Sequence, residues 1–458
     1  MKSLSCKKNK ADFLLMCFYF TLLIYPFYSQ INALTGTAIV SFSKEIIFLC
    51  LAGFSFFSLL KNRALRIDAM DMFLLGYMGM VLLNAIRGPL SPIDTLHALR
   101  YRLLYLVSIN LFLKYLRMKS IQLSQMIDVV MNILFYTGIF VVLIAMLELY
   151  KPETIYRIYG EDTTPHLRVI INKTAYRRVM STLSNPINMG FYMVLSSIAG
   201  LYLLSVQKGW RKALYIPALL MMLYALLHTY SRGAYVSIIC MYFGWCFVFL
   251  ISGIRLRRIS IRAAAIITIS VIGVSTVLFN ADSPFVHRLV TVNYEGVSTN
   301  TRILRAQNSL SIASPPEEED IVESADRPDN KQLLLLNNHP LSLLLGNGIG
   351  TIIGGSQQYV FELGYLSVLY ESGLISLLCL LTVVFIAMLR MVRTISHAKS
   401  QLAWQTIACF AILGTFLVTM LVEDTYMQLP MSMYLPLAVF QGKEHTHIIS
   451  ILSSKEGD

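Results

Sequence analysis

Charge is scarce in this sequence: 14% of its 458 residues are Asp, Glu, Lys or Arg, against 56% hydrophobic residues and a mean hydropathy of +0.61. So little charge excludes a water-exposed surface around a chain of this length, which makes lipid the solvent for most of it. No internal repeat of fixed period and no nucleotide motif is found. The stretch GNGIGTIIGG at Gly346 to Gly355 lacks the Lys-Ser/Thr of a phosphate-binding loop. The apolar runs also lack the period-2 alternation of barrel strands, and at about 20 residues they have the length of spanning helices, whose backbone groups are satisfied internally. Of the cysteines, Cys17, Cys50, Cys240, Cys246, Cys379 and Cys409 fall in apolar runs and Cys6 precedes the first. That placement argues against disulfides and Cys-based metal binding. His287 and His339 have no ligand partner at helical spacing, so no metal site and no cofactor is expected.

What is present is a succession of about twelve apolar segments, placed at residues 13–30, 39–60, 71–86, 101–116, 127–149, 187–206, 213–230, 234–253, 263–281, 359–389, 402–422 and 428–440. The expected fold class is an all-α polytopic membrane protein. Lys7, Lys8 and Lys10 precede the first segment without a small-x-small cleavage site, which reads as an uncleaved span. Lys61, Arg63, Arg66, Lys114, Arg117, Lys119, Lys208, Arg211, Lys212, Arg255, Arg257, Arg258, Arg262, Arg390 and Arg393 all fall on the side of the N-terminus, which the positive-inside rule makes cytoplasmic. The net charge of +12 is then largely an orientation signal, and nucleic acid is not an expected partner.

The segments group into helices 1–5 over residues 1–149, an outer loop at 150–186, helices 6–9 over 187–281, a large outer loop at 282–358, and helices 10–12 with a tail over 359–458. Loops of this length tend to be functional. The first carries Lys151, Arg157, Arg168, Lys173, Arg177 and Arg178, which would either touch anionic lipid headgroups or grip a diphosphate through the planar guanidinium fork. It ends in STLSNPINMG, where Asn185 is a candidate helix cap and Pro186 takes the first helical position. The second begins VSTNTRILRAQNSL, with Arg302 and Arg305 three apart, and continues into a polar stretch holding Glu317, Glu318, Glu319, Asp320, Glu323, Asp326 and Asp329. Three-residue spacing puts the two arginines on one face of a helix, able to meet one phosphate. The acidic stretch is expected to be a solvated insert. Arg232, in LLHTYSRGAYVS, occupies a tight turn at the outer membrane edge. It is either a snorkelling anchor or a functional cation, and Gly233 and Ser231 beside it favour function.

TYSRGAYVS, followed in order by TNTRILRAQNSL, HPLSLLLGNGIG and ELGYLSVLYESGLIS, resembles the O-antigen ligase and polymerase family over residues 175 to 390. STLSNPINMGFY is similar to that family's Asn-Pro-Asn stretch, with Ile187 interposed before Asn188. The resemblance implies a GT-C-like, metal-independent inverting glycosyltransferase of the bacterial inner membrane, acting at the periplasmic face. Its donor and acceptor would be undecaprenyl diphosphate-linked oligosaccharides, with membrane lipid and a chain-length regulator protein as further partners. Arg232 and Arg302 match the family's functional arginines. Arg305, Arg177, Arg178, Arg168, Asn185 and Tyr365 are the implied substrate-binding residues. Family ligases carry a His-Asn pair where this chain has Glu362 and Leu363, which favours a Wzy-type polymerase with Glu362 as base. The simpler account of Glu362 is a helix-start carboxylate. Glu371, nine residues on, is expected to be a buried partner of an Arg. The alternatives are a ligase acting on lipid A core and a flippase of lipid-linked oligosaccharide, which would show related halves and broken helices.

Overall fold

The structure, a computed structural model, describes residues 2–35, 39–88, 90–152, 168–171, 174–183, 185–207, 209, 212–256, 340–349, 364–397, 400–420 and 432–440. In chain order these form α1 (Lys2–Ile24), a 3-10 turn (Tyr25–Phe27), α2 (Tyr28–Thr35), α3 (Ile39–Lys61), α4 (Ala69–Arg87) and α5 (Pro92–Leu99). A π-helical turn (Arg100–Leu104), α6 (Tyr105–Met118) and α7 (Leu123–Tyr150) follow, then strands β1 (Arg168–Ile171) and β2 (Thr174–Arg177) and a 3-10 turn (Ser181–Leu183). The rest is α8 (Pro186–Val206), α9 (Lys212–Leu227), α10 (Arg232–Leu256), α11 (Pro340–Leu345), α12 (Gly364–His397) and α13 (Ser400–Thr419).

Among the described residues seven helices are long and apolar enough to cross a membrane: Ala11–Asn32, Phe42–Lys61, Ala69–Arg87, Leu123–Tyr150, Pro186–Val206, Ser367–Ile395 and Gln401–Thr419. The chain is therefore a multi-pass helical membrane protein. The expected segment 263–281 lies outside the described residues, and the last expected segment is described only over 432–440, which is helical. Two expectations need local correction. The fourth segment starts at Pro92 rather than 101, because Ser91 accepts from Asp94 N at 3.2 Å with Pro92 at the first helical position. The loop 150–186 contains a short β1–β2 antiparallel hairpin pairing Arg168 with Arg177, a local addition to an all-α bundle.

Two ends of the bundle can be told apart by what their polar side chains touch. At one end, Asp68 and Asp71 start α4 by capping each other's backbone N–H at 2.9 Å. Asp71 also takes Lys114 at 2.8 Å, and Asp68 takes Arg390 at 3.6 Å. Residues that the charge rule assigns to one side thus meet in space. Between the ends, side chains such as Phe13, Phe57 and Phe385 are more than half exposed, as a lipid-facing belt requires. Helix α8 is the centre of the bundle: 89% of its most apolar window is buried, against 33–61% for the other spans.

Candidate functional site

At the end opposite Asp68 and Asp71, the chain leaving β2 crosses the turn between α9 and α10. Val179 N donates to His228 O at 3.0 Å and Arg178 Nε donates to Thr229 O at 2.9 Å. The crossing strand is fixed from beneath by Glu148, near the end of α7, whose buried carboxylate accepts from Met180 N at 3.2 Å and Ser181 N at 2.7 Å. Ser181 Oγ then reaches Val141 O at 2.6 Å, and Gln30 Nε2 of α2 reaches Ser181 O at 3.4 Å. Ser181 and Tyr230 both have left-handed backbones, φ 48° and 49°. Non-glycine residues rarely take that conformation, and its occurrence on both sides of one crossing marks a closely specified backbone.

Arg232 opens α10 and is half-buried. A cation there adds to the positive helix terminus instead of offsetting it, so it does not serve helix stability; cation and terminus together attract an anion. Ser231 Oγ accepts from Ala234 N at 3.4 Å, and Thr229 Oγ1 accepts from Ser231 N at 3.3 Å, which fixes the turn carrying Arg232. Helix α8 starts alongside: Asn185 Oδ1 accepts from Ile187 N at 2.8 Å with Pro186 at the first position, as the sequence indicates. Gly190 allows the approach, since a Cβ there would lie 2.6 Å from that of Ala234. Thr182 Oγ1 and Asn188 Oδ1 are buried around this crossing with no hydrogen-bond partner among the described residues. His228, just past α9, has its ring 4.4 Å from that of Tyr224, and burial holds its imidazole below the usual range.

Of the residues singled out in the sequence, Arg178, Asn185 and Arg232 therefore surround one crossing, with Arg177 and its register partner Arg168 on the hairpin leading into it. Tyr365 lies elsewhere in α12, and its hydroxyl donates to Leu417 O at 2.7 Å, tying α12 to α13. Glu362, Arg302 and Arg305 lie outside the described residues. Among the described residues no three His, Cys, Asp or Glu side chains converge as a metal site.

A second group of charges joins Glu371 to residues that were not singled out in the sequence. Arg102, on the π turn, ion-pairs with Glu371 and donates to Ser372 Oγ at 3.0 Å, all three being buried. Glu371 is thus the buried partner of an Arg that the sequence suggests. It lies where α12 breaks at Gly373, φ 82° and ψ 167°. The chain after α11 and the Asn84 side chain of α4 fill the break: Asn347 N donates to Tyr370 O at 2.9 Å, Gly348 N to Glu371 O at 3.2 Å and Asn84 Nδ2 to Ser372 O at 3.4 Å. Non-helical backbone at membrane depth is tolerated only where protein satisfies it, as here. The available signals were charges inside apolar runs, Lys44-Glu45 and Arg100-x-Arg102.

No protein-family model matches this chain, and no curated protein matches it.

Proposed function

We propose that this chain is a surface-polysaccharide polymerase of the O-antigen type, transferring a glycan from a polyprenyl diphosphate to a sugar hydroxyl of a second lipid-linked unit at the outer face of the bacterial inner membrane. The observation that carries this reading is that Arg178, 54 positions before Arg232 in the chain, is held on the turn that leads into Arg232, by Arg178 to Thr229 at 2.9 Å and Val179 to His228 at 3.0 Å. A glycosyl diphosphate needs no acid to release its leaving group. It needs stabilisation of the charge that grows on the bridging oxygen as the anomeric bond breaks, and a preorganised arginine pair at a helix terminus supplies that. The acceptor hydroxyl bonds to the anomeric carbon from the opposite face, inverting it, and its proton passes to a carboxylate, for which Glu362 is the candidate. Arg302 would complete the clamp.

Lipopolysaccharide banding tests the reading. Arg232→Lys and Arg178→Lys keep the charge but lose the fork, and each is expected to leave core plus one repeat unit at unchanged protein level. Wild-type banding from both refutes the clamp, and bare core in a null strain selects the ligase. The break in α12 beside the buried Arg102–Glu371 pair is the kind of discontinuous helix found in transporters and favours the flippase as second reading. Elongation of lipid-linked units by purified protein in detergent separates the two, since transport needs a sealed bilayer.

A further inference from the structure

Residues 62–68 carry the chain from α3 to α4, and because both helices are spans this turn lies at headgroup depth. It is closely built. Arg63 N donates to Leu60 O at 3.0 Å and Ala64 N to Leu59 O at 2.9 Å, the Lys114 ammonium of α6 holds Arg66 O at 3.1 Å, and Asp68 caps α4. Arg63 itself has a left-handed backbone, φ 48°, at the place past a helix end that glycine ordinarily takes.

Neither the helix nor its orientation requires a cation at that place. Lys61, in the last turn of α3, already faces the negative helix terminus, and the positive-inside rule counts cations without regard to their backbone. The carboxylates nearby are spent elsewhere: Asp71 holds Lys114 at 2.8 Å and Asn110 at 3.1 Å, and Asp68 reaches Arg390 at 3.6 Å. Lys61, Arg63 and Arg66 are exposed and have no carboxylate partner among the described residues. The surface next to them is apolar. Phe57 and Leu60 on α3, Ile67 in the turn and Met72 on α4 are each nearly half exposed or more. A soluble polyanion would use the charge and not the apolar side chains, and a zwitterionic lipid the reverse.

We propose that Lys61, Arg63 and Arg66 dock the headgroup of an anionic phospholipid, its phosphate on the guanidinium forks and its chains along Phe57, Leu60 and Met72. The lipid belongs to the leaflet at this end of the bundle, the cytoplasmic one in the positive-inside orientation. This end is opposite the arginine crossing, and the proposal does not rest on the polymerase reading.

The test titrates the full-length protein, in neutral detergent, with phosphatidylglycerol or phosphatidylcholine and reads binding by native mass spectrometry and by melting. One triple variant carries Lys61→Gln, Arg63→Gln and Arg66→Gln. A second carries Arg255→Gln, Arg257→Gln and Arg258→Gln, which change the net charge equally at another place in the chain. A third variant, Arg63→Gly, suits φ 48° and removes only the side chain, so without lipid it should melt no lower than the wild type. The wild type should bind phosphatidylglycerol in preference to phosphatidylcholine, and each cation removed from the turn should weaken that binding about fivefold. The first triple variant should therefore lose about a hundredfold, Arg63→Gly about fivefold, and the second triple variant little. Should the first triple variant not fold, Arg63→Gly decides alone. Equal losses in the two triple variants would reduce the effect to net charge and overturn the proposal, as would equal binding of the two lipids by the wild type or wild-type binding by Arg63→Gly.

Discussion

Replacing Glu371 by Gln removes the counter-charge of Arg102 while keeping the side chain's size. Both residues are 1% exposed, so water cannot replace the carboxylate. Arg102 would keep its contact with the neutral Ser372 Oγ at 3.0 Å and lose the carboxylate with which it ion-pairs. Breaking one partner of a buried pair costs about 3–5 kcal/mol, which is a large part of the ~5–15 kcal/mol that holds a typical protein folded. The damage should spread, because the carbonyl of Glu371 also receives Gly348 N and that of Tyr370 receives Asn347 N. Membrane level of a fluorescent fusion and melting in detergent should both fall sharply for Glu371→Gln. Arg102→Gln should behave alike, and the double variant, with no charge left buried, should recover part of the loss through a coupling of about 0.5–3 kcal/mol. Wild-type level and melting for Glu371→Gln, or a double variant worse than the sum of the singles, would refute the reasoning.

The break in α12 gives a second expectation: Gly373→Ala would combine φ 82° with a Cβ 2.4 Å from Leu344 O and should abolish folding, whereas Gly53→Ala, with nothing within 4 Å, should be silent in the same melting assay. Glu148→Gln, which weakens the hold on Met180 N and Ser181 N, should reduce polymer more than protein level, as read from banding against an immunoblot. His228 has a depressed pKa from burial, so its contribution to stability is present above the ordinary value of 6.5 and is lost as pH falls below it; melting against pH should show this loss in the wild type and less of it in His228→Gln. Single-cysteine labelling in whole cells should mark positions in 317–329 and spare 255–262, and the reverse pattern would invert the assigned orientation.

Hydropathy, a sum over neighbours in the chain, was enough to determine that this protein lives in lipid as a helical bundle, and most helix positions followed from it. Local chemistry added the start of α8 at Asn185 and Pro186, because a cap is made within three residues. A carboxylate nine residues from Glu362 could also be read as buried and paired, since a charge deep in an apolar run needs a partner. The identity of that partner could not be read. Arg102 stands 269 residues away, and nothing in a one-dimensional pattern states which of 38 basic residues will reach it. The break at Gly373 was hidden for the same reason: a glycine in an apolar run is compatible with an unbroken helix until Asn84, Asn347 and Gly348 are brought to its freed carbonyls. The start at Pro92 was missed because polar Ser91 and Asp94 lower the local hydropathy even as they cap the helix. The joining of Arg178 to the turn before Arg232, and of Lys114 to the turn at Arg66, was likewise decided only by packing, which alone sets distances between residues far apart in the chain.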